Sequence, residues 1–308
     1  MSFPDAFDLD IYKNYNKLHY MSDAELYNHY NYYGRHEGLT SSSITNRTIF
    51  FDLINKDKLI LEIGPLCFPI SNVNNKNVKV LDYFSREELI NNYKNDSSVI
   101  IENIVNVDYV CRNYKLYSDF IDIKFDYCIS SHNIEHAPCT ITFLKNISSI
   151  LMKNGFIFLA VPDCRFCFDR FKPRTTIFDT LKNYFNKTDK PQDLSLLYDK
   201  YFATHNYSSD HWEMFSKQYQ NIFVNINEQE DFMISKKDNI INDINIIKKI
   251  IEDNNQIYID SHCQRFTPFS FEFILDILYE TNLIDLKIER LYKTLKGSNE
   301  FYVILKKI

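Results

Sequence analysis

The sequence predicts an α/β fold organised around one mostly parallel sheet, and three observations support this. Apolar strands alternate with short helical segments between residues 58 and 163, a pattern typical of parallel sheets. The stretch 58–64 runs from apolar residues into Glu62 and Gly64, as expected for a strand that ends at the ligand-binding edge of such a sheet. Two apolar stretches near the end of the chain flank a glycine turn and predict an antiparallel hairpin.

The length of 308 residues favours one main domain with an appendage. Apolar residues make up 45% and charged residues 25% of the chain, which is typical of a globular protein. The formal net charge of -6 argues against a broad nucleic-acid-binding surface, because such surfaces need clustered Lys and Arg. We therefore expect a small-molecule partner and no nucleic acid.

The sequence also gives expectations about location and redox state. It holds no run of 18 apolar residues and begins without the basic and apolar regions of a signal peptide, so we expect a cytoplasmic protein that does not enter a membrane. Its seven cysteines are an odd number at scattered positions and do not form a disulfide framework. Cys164 and Cys167 make a C-x-x-C pair, but no second ligand pair follows closely, so a metal site there is disfavoured.

Residues 1–45 are expected to form a small helical unit in front of a main domain at 46–308. Ser22 and Glu25 match a capping box, and Gly34 is placed to end the helix. An apolar stripe at helical spacing follows the cap, formed by Leu26, Tyr27, Tyr30 and Tyr33. The unit is too short to hold its own core, so it must dock on the main domain or on a partner, and the polar stretch after it is interpreted as a linker.

In the main domain, five apolar stretches predict the parallel strands, at 58–63, 78–82, 103–107, 125–130 and 156–161. A helix with one apolar face is expected from 140 to 152, ending at the C-cap Lys153-Asn154-Gly155.

The regular alternation stops after the fifth strand. Residues 164–257 show no strand and helix rhythm apart from an amphipathic helix at 240–251, and we interpret them as an insertion that covers the site. Thr267 and Pro268 then start a helix that runs to residue 280. The last two strands, 286–291 and 301–305, form the hairpin and bring the sheet to seven strands.

Four acidic or histidine-rich signals fall at predicted strand ends. They are Glu62-x-Gly64 after the first strand, Asp82 at the end of the second, Asp108 after the third and Ser131-His132-Asn133-Ile134-Glu135-His136 after the fourth. Together with the terminal hairpin they resemble the Rossmann-like methyltransferases that use S-adenosylmethionine, closely over 55–163 and by order of elements over 258–308. The dinucleotide fingerprint G-x-G-x-x-G is absent from the sequence, which counts against a nicotinamide dehydrogenase.

The resemblance implies S-adenosyl-L-methionine as cofactor. It places Gly64 where the backbone approaches the cofactor, Asp82 at the ribose hydroxyls, Asp108 at the adenine amino group, and the stretch 131–136 at the methionine end. The implied cofactor residues are Glu62, Gly64, Pro65, Asp82, Tyr83, Asp108, Ser131, His132 and His136.

One departure from the family pattern points to a smaller group within these methyltransferases. The family pattern has three spaced glycines after the acidic residue, whereas this chain continues from Gly64 into Pro65 and then Pro69. This form is similar to methyltransferases found among glycan and capsule assembly genes. So are the Pro-Asp-x-Arg-x-x-Phe-Asp segment at 162–169 and the stretch before the last helix, at 260–268.

The narrower resemblance implies O-methylation of a sugar or sugar nucleotide. Residues 1–40 are then expected to dock on a second copy or on a glycan-assembly partner. The substrate residues it implies are Arg165, Asp169 and Asp260, and a solvated ion pair is the alternative interpretation of each.

A methyl acceptor hydroxyl needs a base, and His is the side chain that serves near neutral pH. The histidine candidates are His132, His205, His211 and His262. We favour His262 and His211, which lie outside the cofactor half, with Asp163 as a further catalytic candidate. No metal is assigned, although Asp163, Asp260 and His262 would be the set if a divalent ion replaced the base.

Two other functions stay open. A non-catalytic protein could have kept the fold and use its N-terminal unit for interaction. Alternatively, the acceptor could be a protein or a lipid, which would require an exposed apolar groove around residues 166–185.

Overall fold

The computed structural model describes residues 2–72, 74–112, 116–204, 212, 224–253 and 259–308. One seven-stranded sheet organises the chain, in the order β3-β2-β1-β4-β5-β7-β6. Its strands are β1 (Ile60–Ile63), β2 (Val78–Asp82), β3 (Tyr109–Val110), β4 (Phe125–Ser131), β5 (Leu151–Pro162), β6 (Leu286–Tyr292) and β7 (Glu300–Lys307). β7 runs antiparallel between β5 and β6, and the other pairs are parallel. The predicted α/β, Rossmann-like sheet with a C-terminal antiparallel pair is confirmed.

The strand β1 lies where the direction of the strand order reverses. All four of its residues are buried, and Ile63 pairs with Leu81 of β2 on one side and Ser130 of β4 on the other. From β1 the chain proceeds to β2 and β3, then crosses back to β4. In open α/β sheets, this switch point at the carboxyl ends of the strands is where ligands bind.

The third strand differs from its prediction. Residues 101–103 form a 3₁₀ turn, and Ile104 packs with Cys67 and Leu89 in a small apolar cluster instead of pairing with β2. Strand pairing begins only at Tyr109, opposite Leu81. Asp108 therefore precedes β3 and does not follow it, which places its side chain away from the carboxyl edge.

The predicted C-cap at residues 153–155 was also wrong. The helix Thr140–Ile150 ends directly before β5, and Asn154 takes a left-handed conformation with φ of 62° inside the strand. The register of β4 against β5 shifts between Phe125 and Tyr127, whose partners are Leu151 and Phe156. β5 therefore has more residues than β4 between these two pairs, and the pairing is irregular there.

Both faces of the sheet are covered. On one face pack the helices Thr140–Ile150 and Pro268–Glu280, the latter capped by Thr267 as predicted. On the other face lie the N-terminal Phe3, whose ring is 5.2 Å from that of Phe156, and the helix Arg47–Phe51. None of the helices within the described ranges is long and apolar enough to cross a membrane. The cysteines are free thiols, as expected.

The N-terminal unit consists of the helices Leu9–Tyr15 and Asp23–His29 and a π-helical turn, Tyr30–Gly34. The Ser22 and Glu25 capping box is confirmed. The predicted apolar stripe is only partly buried, because Leu26 is enclosed while Tyr27 and Tyr33 are exposed. The polar stretch after the unit is not a free linker: Ser41, Ser42 and Ile44 are buried.

The insertion after β5 leaves and returns at one point, since Asp163 forms a bridge with Phe266. Its described helices are Ile177–Phe185, Asp193–Phe202, Val224–Ser235, Lys237–Asn242 and Ile244–Asp253. The amphipathic helix predicted at 240–251 is thus divided at Asp243. His205 and His211 lie outside the described residues.

Candidate active site

A cavity of about 340 Å³ opens at the carboxyl ends of β1, β2 and β4. It is at the lower end of the size range of small-molecule sites. The implied cofactor residues that line it are Glu62, Gly64, Pro65, Asp82, Tyr83, Ser131, His132 and His136. Asp260, which the sequence suggested for the substrate, also lines it. Three of the four strand-end signals of the sequence therefore converge on one cavity.

Glu62 organises the loop after β1. The side chain is buried, and its two carboxylate oxygens accept hydrogen bonds from the backbone N–H groups of Ile70, at 2.6 Å, and Ser71, at 2.9 Å. Burial raises the pKa of Glu62, and these backbone donors oppose the shift. The carboxylate thus folds the loop back over the end of β1 and fixes one wall of the cavity.

Gly64 lies close to Asn133, while its approach to a cofactor stays a prediction. Its φ is +63°, and a Cβ at this position would lie 2.2 Å from Nδ2 of Asn133. Leu66 also takes a left-handed conformation, with φ of 48°. Glycine suits this position because its φ is positive and because a side chain would collide with Asn133 in the loop after β4.

Asp82 lies at the end of β2 and faces the cavity. Its Oδ1 accepts a hydrogen bond from the backbone N–H of Phe84 at 3.1 Å. Burial raises the pKa of Asp82 to about 6, and backbone hydrogen bonds from Phe84 and Tyr83 limit the rise. An ionised carboxylate here can accept two hydrogen bonds from adjacent hydroxyl groups.

Asp108 is not among the residues that line the cavity. Its carboxylate accepts hydrogen bonds from Nζ of Lys79 and from the backbone N–H of Val80, each at 2.9 Å. The position follows from the late start of β3. On this side the cavity is lined instead by Cys111 and Tyr117, so the geometry does not favour the adenine contact implied for Asp108.

His132 is held at the cavity by a residue that the sequence did not suggest. Its Nε2 lies 2.8 Å from Oε2 of Glu300, which also accepts hydrogen bonds from Arg47 and from the Tyr302 hydroxyl. Burial acts to raise the pKa of Glu300, yet the hydrogen bonds from His132 and Arg47 lower it to about 2. His132 takes a φ of 49°, a strained conformation of the kind that clusters at functional sites.

Arg47 is a further lining residue that sequence reasoning missed. It lies in the short helix Arg47–Phe51 and is 253 positions from Glu300. No local spacing signals such a pair, and the burial of Phe50 and Phe51 against the sheet brings this helix to the cavity.

Two histidine and carboxylate pairs lie at one end of the cavity, where His136 lines it and His262 lies next to His136 but outside the lining. Nδ1 of His136 lies 3.0 Å from Oδ1 of Asp260, and Nδ1 of His262 lies 2.6 Å from Oδ2 of Asp169. The two imidazole rings meet nearly edge to face, with centroids 4.7 Å apart. Burial acts to lower the pKa of His136, but the hydrogen bond to Asp260 and the charge of Glu135 raise it to about 9.

Asp169 lies behind His262 and outside the cavity lining. It is buried and accepts a hydrogen bond from Nζ of Lys172 at 2.6 Å. Burial acts to raise the pKa of Asp169, yet His262 and Lys172 lower it to about 2. Asp199 accepts from both Lys172 and the backbone N–H of His262. Asp169 therefore holds the ring of His262 in place, and its contact with a substrate stays a prediction.

Asp163 and Arg165 are joined to each other. The fully buried carboxylate of Asp163 accepts from Nε of Arg165 at 2.9 Å, from Nη2 at 2.6 Å and from the Thr294 hydroxyl at 2.6 Å. Neither residue lines the cavity. This arrangement supports the chain where the insertion begins and does not suit a base, which needs an accessible oxygen.

The metal set considered from the sequence, Asp163 with Asp260 and His262, is not brought together in the described part of the chain. The catalytic role suggested for His211 stays a prediction, because that residue lies outside the described ranges.

No protein-family model matches this chain, and no curated protein matches it in sequence. Among solved structures it is similar to the CcbJ methyltransferase from Streptomyces caelestis, with 8% identity and a TM-score of 0.39 over 89% of this chain and 95% of that chain. It is also similar to a SAM-dependent methyltransferase from Aquifex aeolicus, with 9% identity and a TM-score of 0.37 over 84% and 86% of the two chains.

A third similar structure is an S-adenosylmethionine-dependent methyltransferase from Mesorhizobium loti, with 11% identity and a TM-score of 0.29. The match covers 39% of this chain and 55% of that chain. These likenesses are too distant to say what this chain does. Strand order and cavity geometry are therefore the grounds for assigning it a function.

Proposed function

We propose that the protein is an S-adenosylmethionine-dependent methyltransferase that methylates a hydroxyl group of a small acceptor, a sugar or sugar nucleotide. The observation that carries the proposal is the cavity at the switch point, where Gly64 and Asn133 meet beside the carboxylate of Asp82. This combination offers a close backbone approach and a hydroxyl-binding acceptor at adjacent strand ends.

The lining residues fit the cofactor chemically. S-adenosylmethionine supplies an electrophilic methyl group on a sulfonium cation and also carries an ammonium group, a carboxylate and two ribose hydroxyls. The cavity presents the carboxylates of Glu62, Asp82 and Asp260, which favour cations. Asp82 would accept hydrogen bonds from the ribose hydroxyls, and Arg47, which also lines the cavity, would pair with the cofactor carboxylate.

The acceptor side has the groups that a hydroxyl substrate needs. Methyl transfer requires in-line approach at about 3 Å and removal of the hydroxyl proton. His262 is the best-placed described histidine for this, because Asp169 holds its Nδ1 and leaves Nε2 for the proton. His136, with its pKa raised to about 9, stays protonated at neutral pH and would orient an acceptor oxygen as a donor.

A sugar is the proposed acceptor class because Asp260 and His136 give this side polar, hydrogen-bonding groups. The resemblance of residues 162–169 and 260–268 to glycan-associated methyltransferases also supports it. We further propose that residues 164–257 act as a substrate-covering insertion, since the two ends of this excursion meet at Asp163 and Phe266. Docking of residues 1–40 on a second copy or another protein, and a cytoplasmic location, stay predictions.

Calorimetric titration of the purified protein with S-adenosylmethionine and S-adenosylhomocysteine tests the cofactor proposal, with Asp82→Ala as the variant. We expect micromolar binding that the variant loses. Absence of binding by folded protein would sink the proposal and favour a non-catalytic interaction protein.

The acceptor is then sought by S-adenosylhomocysteine release with a panel of sugar nucleotides, a peptide mixture and lipid vesicles. Turnover with sugar nucleotides supports the proposed acceptor class. Turnover with peptides or lipids alone would replace it.

A further inference from the structure

Glu135 is an unusual residue beside the proposed site. Its side chain is 1% exposed, and neither of its carboxylate oxygens has a hydrogen-bond partner among the described residues. Its Oε1 lies 3.9 Å from Nδ1 of His132 and 3.9 Å from Nε2 of His136. Burial of a carboxylate without hydrogen bonds costs several kcal/mol, and a bound cation is the explanation to test.

The imidazoles of His136 and His262 lie near the Glu135 carboxylate, and each ring is held in one orientation. His136 and His262 each use Nδ1 for a carboxylate, Asp260 and Asp169 respectively. An ionised carboxylate only accepts hydrogen bonds, so both Nδ1 atoms are donors and Nε2 is the nitrogen left to bind an ion. The pKa of His136 is raised to about 9, so an ion would displace the proton that its Nε2 carries at neutral pH. Metal-binding histidines are held in this way, with a carboxylate on the far nitrogen.

We propose that Glu135, His136 and His262 bind a divalent transition-metal ion, with Zn²⁺ as the reference case. One ligand atom from each of the three residues lies within 4.8 Å of the others. Ligand atoms around tetrahedral zinc are about 3.3 Å apart, so side-chain rotations that bring the atoms closer by about 1.5 Å or less complete the set. Two imidazoles and one carboxylate are a donor set that suits this class of ion.

The cation would also balance charge. Glu135, Asp169 and Asp260 place three carboxylates around two imidazoles, while Lys172 offsets part of the charge on Asp169. A divalent ion between the imidazoles would balance part of the remaining negative charge.

The proposed ion would adjoin the cavity, because His136 contributes to both. Three protein ligands leave a coordination position for an oxygen ligand, a water or a hydroxyl group. In the metal-bound protein, Nε2 of His262 is a ligand and no longer the free base of the proposed function. The metal site stands on its own observations, so its test uses no cofactor and no acceptor.

The test uses full-length protein without a histidine tag, dialysed against chelator and then titrated with ZnCl₂ in competition with a chromophoric chelator. We expect one equivalent of Zn²⁺, with affinity lowered by at least about 100-fold in Glu135→Gln, His136→Gln and His262→Gln. The matched controls are His19→Gln and Glu102→Gln, which change exposed residues of the same types. These controls should bind like the parent protein.

Two further readouts keep the test decisive. Saturating Zn²⁺ should raise the melting temperature of the parent protein but not that of Glu135→Gln, which should fold because it removes a buried charge and keeps the shape. The Co²⁺-loaded protein should show visible bands without thiolate charge transfer. Parent-like binding in Glu135→Gln, or a thiolate signal from the cysteines, would overturn the proposal and leave Glu135 as a partner of protonated histidines.

Discussion

Oδ2 of Asp169 lies 2.6 Å from Nδ1 of His262, and this contact determines which nitrogen of the imidazole faces the site. The pKa of Asp169 is lowered to about 2 by His262 and Lys172 against the opposing effect of burial, so the carboxylate is ionised and Nδ1 must donate. Nε2 is then the unprotonated nitrogen of the neutral ring, whether it takes a proton or binds a metal ion.

The first prediction concerns Asp169→Asn. An amide can donate to Nδ1 and would favour the other tautomer, so methyl transfer to the acceptor found in the screen should fall by about 100-fold or more. Affinity for S-adenosylhomocysteine should stay within about twofold, because Asp169 is outside the cavity lining. Calorimetry and turnover measurements on the same preparation check both parts.

The control for this variant is Asp199→Asn. Asp199 also binds Lys172, and it accepts from the backbone N–H of His262 and not from its ring. The loss of turnover should therefore be much smaller in Asp199→Asn. Equal losses in the two variants would mean that the ion pair with Lys172, and not the imidazole tautomer, is what matters.

The second prediction concerns Gly64→Val. The Cβ of a side chain here would lie 2.2 Å from Nδ2 of Asn133, so the Asn133 side chain must move from its place in the cavity lining. Binding of S-adenosylhomocysteine should become undetectable by calorimetry. Gly297→Val is the matched control, because Gly297 also has a positive φ, +86°, but no atom within 4 Å of a Cβ.

Both glycine variants should lose about 1–2 kcal/mol of stability from backbone strain, measured by urea denaturation. Only Gly64→Val should lose binding. Retained binding in Gly64→Val would place the ligand elsewhere.

The third prediction is a pH dependence set by Asp82, whose pKa burial raises to about 6. The ionised form is the better hydroxyl acceptor, so affinity for S-adenosylhomocysteine should be constant above about pH 7 and fall as pH drops through 6. In Asp82→Asn the affinity should be about 10- to 100-fold lower at pH 8, with this step absent. Calorimetric titrations between pH 5 and pH 8 measure it.

The variant Asp108→Asn tests whether Asp108 contacts the adenine of the cofactor, as the sequence implied, or lies outside the binding site, as the cavity lining indicates. Because Asp108 pairs with Lys79 outside the lining, its variant should bind like the parent protein. A loss equal to that of Asp82→Asn would restore the adenine contact that the sequence implied.

The sheet was predictable from local patterns, because buried parallel strands read as short apolar runs between turn residues. Glu62, Gly64 and Asp82 were predictable for the same reason, since they follow such runs directly. The third strand was not predictable in this way. Ile104 and Val105 are as apolar as the residues of a buried strand, but Ile104 packs against Cys67 and Leu89 in a separate cluster. Periodicity does not reveal which neighbour buries an apolar side chain.

The residues that hold the histidines of the site in place were harder to predict from the sequence. Arg47 and Glu300 lie 253 positions apart, and Asp169 meets His262 across 93 positions. Each carboxylate could equally have been a solvated surface residue from its local sequence. Only the return of the chain along β7 and the closing of the insertion at Asp163 and Phe266 bring these partners together.

The last prediction concerns Glu300, whose pKa is about 2 in the folded protein and ordinarily 4.5. A lowered pKa means that the folded state holds the ionised form more strongly than the unfolded state does. The stabilisation is therefore complete above pH 4.5 and disappears as the pH falls towards 2. Arg47 is partly exposed, so its share of the stabilisation is reduced by solvent screening.

Glu300→Gln should accordingly lower the free energy of unfolding by about 1–3 kcal/mol at pH 7, and the difference from the parent protein should shrink steadily between pH 5 and pH 3. Urea denaturation at pH 7, 5, 4 and 3 measures this, with the exposed Glu102→Gln as control. A difference that persists unchanged at pH 3 would show that Glu300 stabilises the fold by packing and not by its charge.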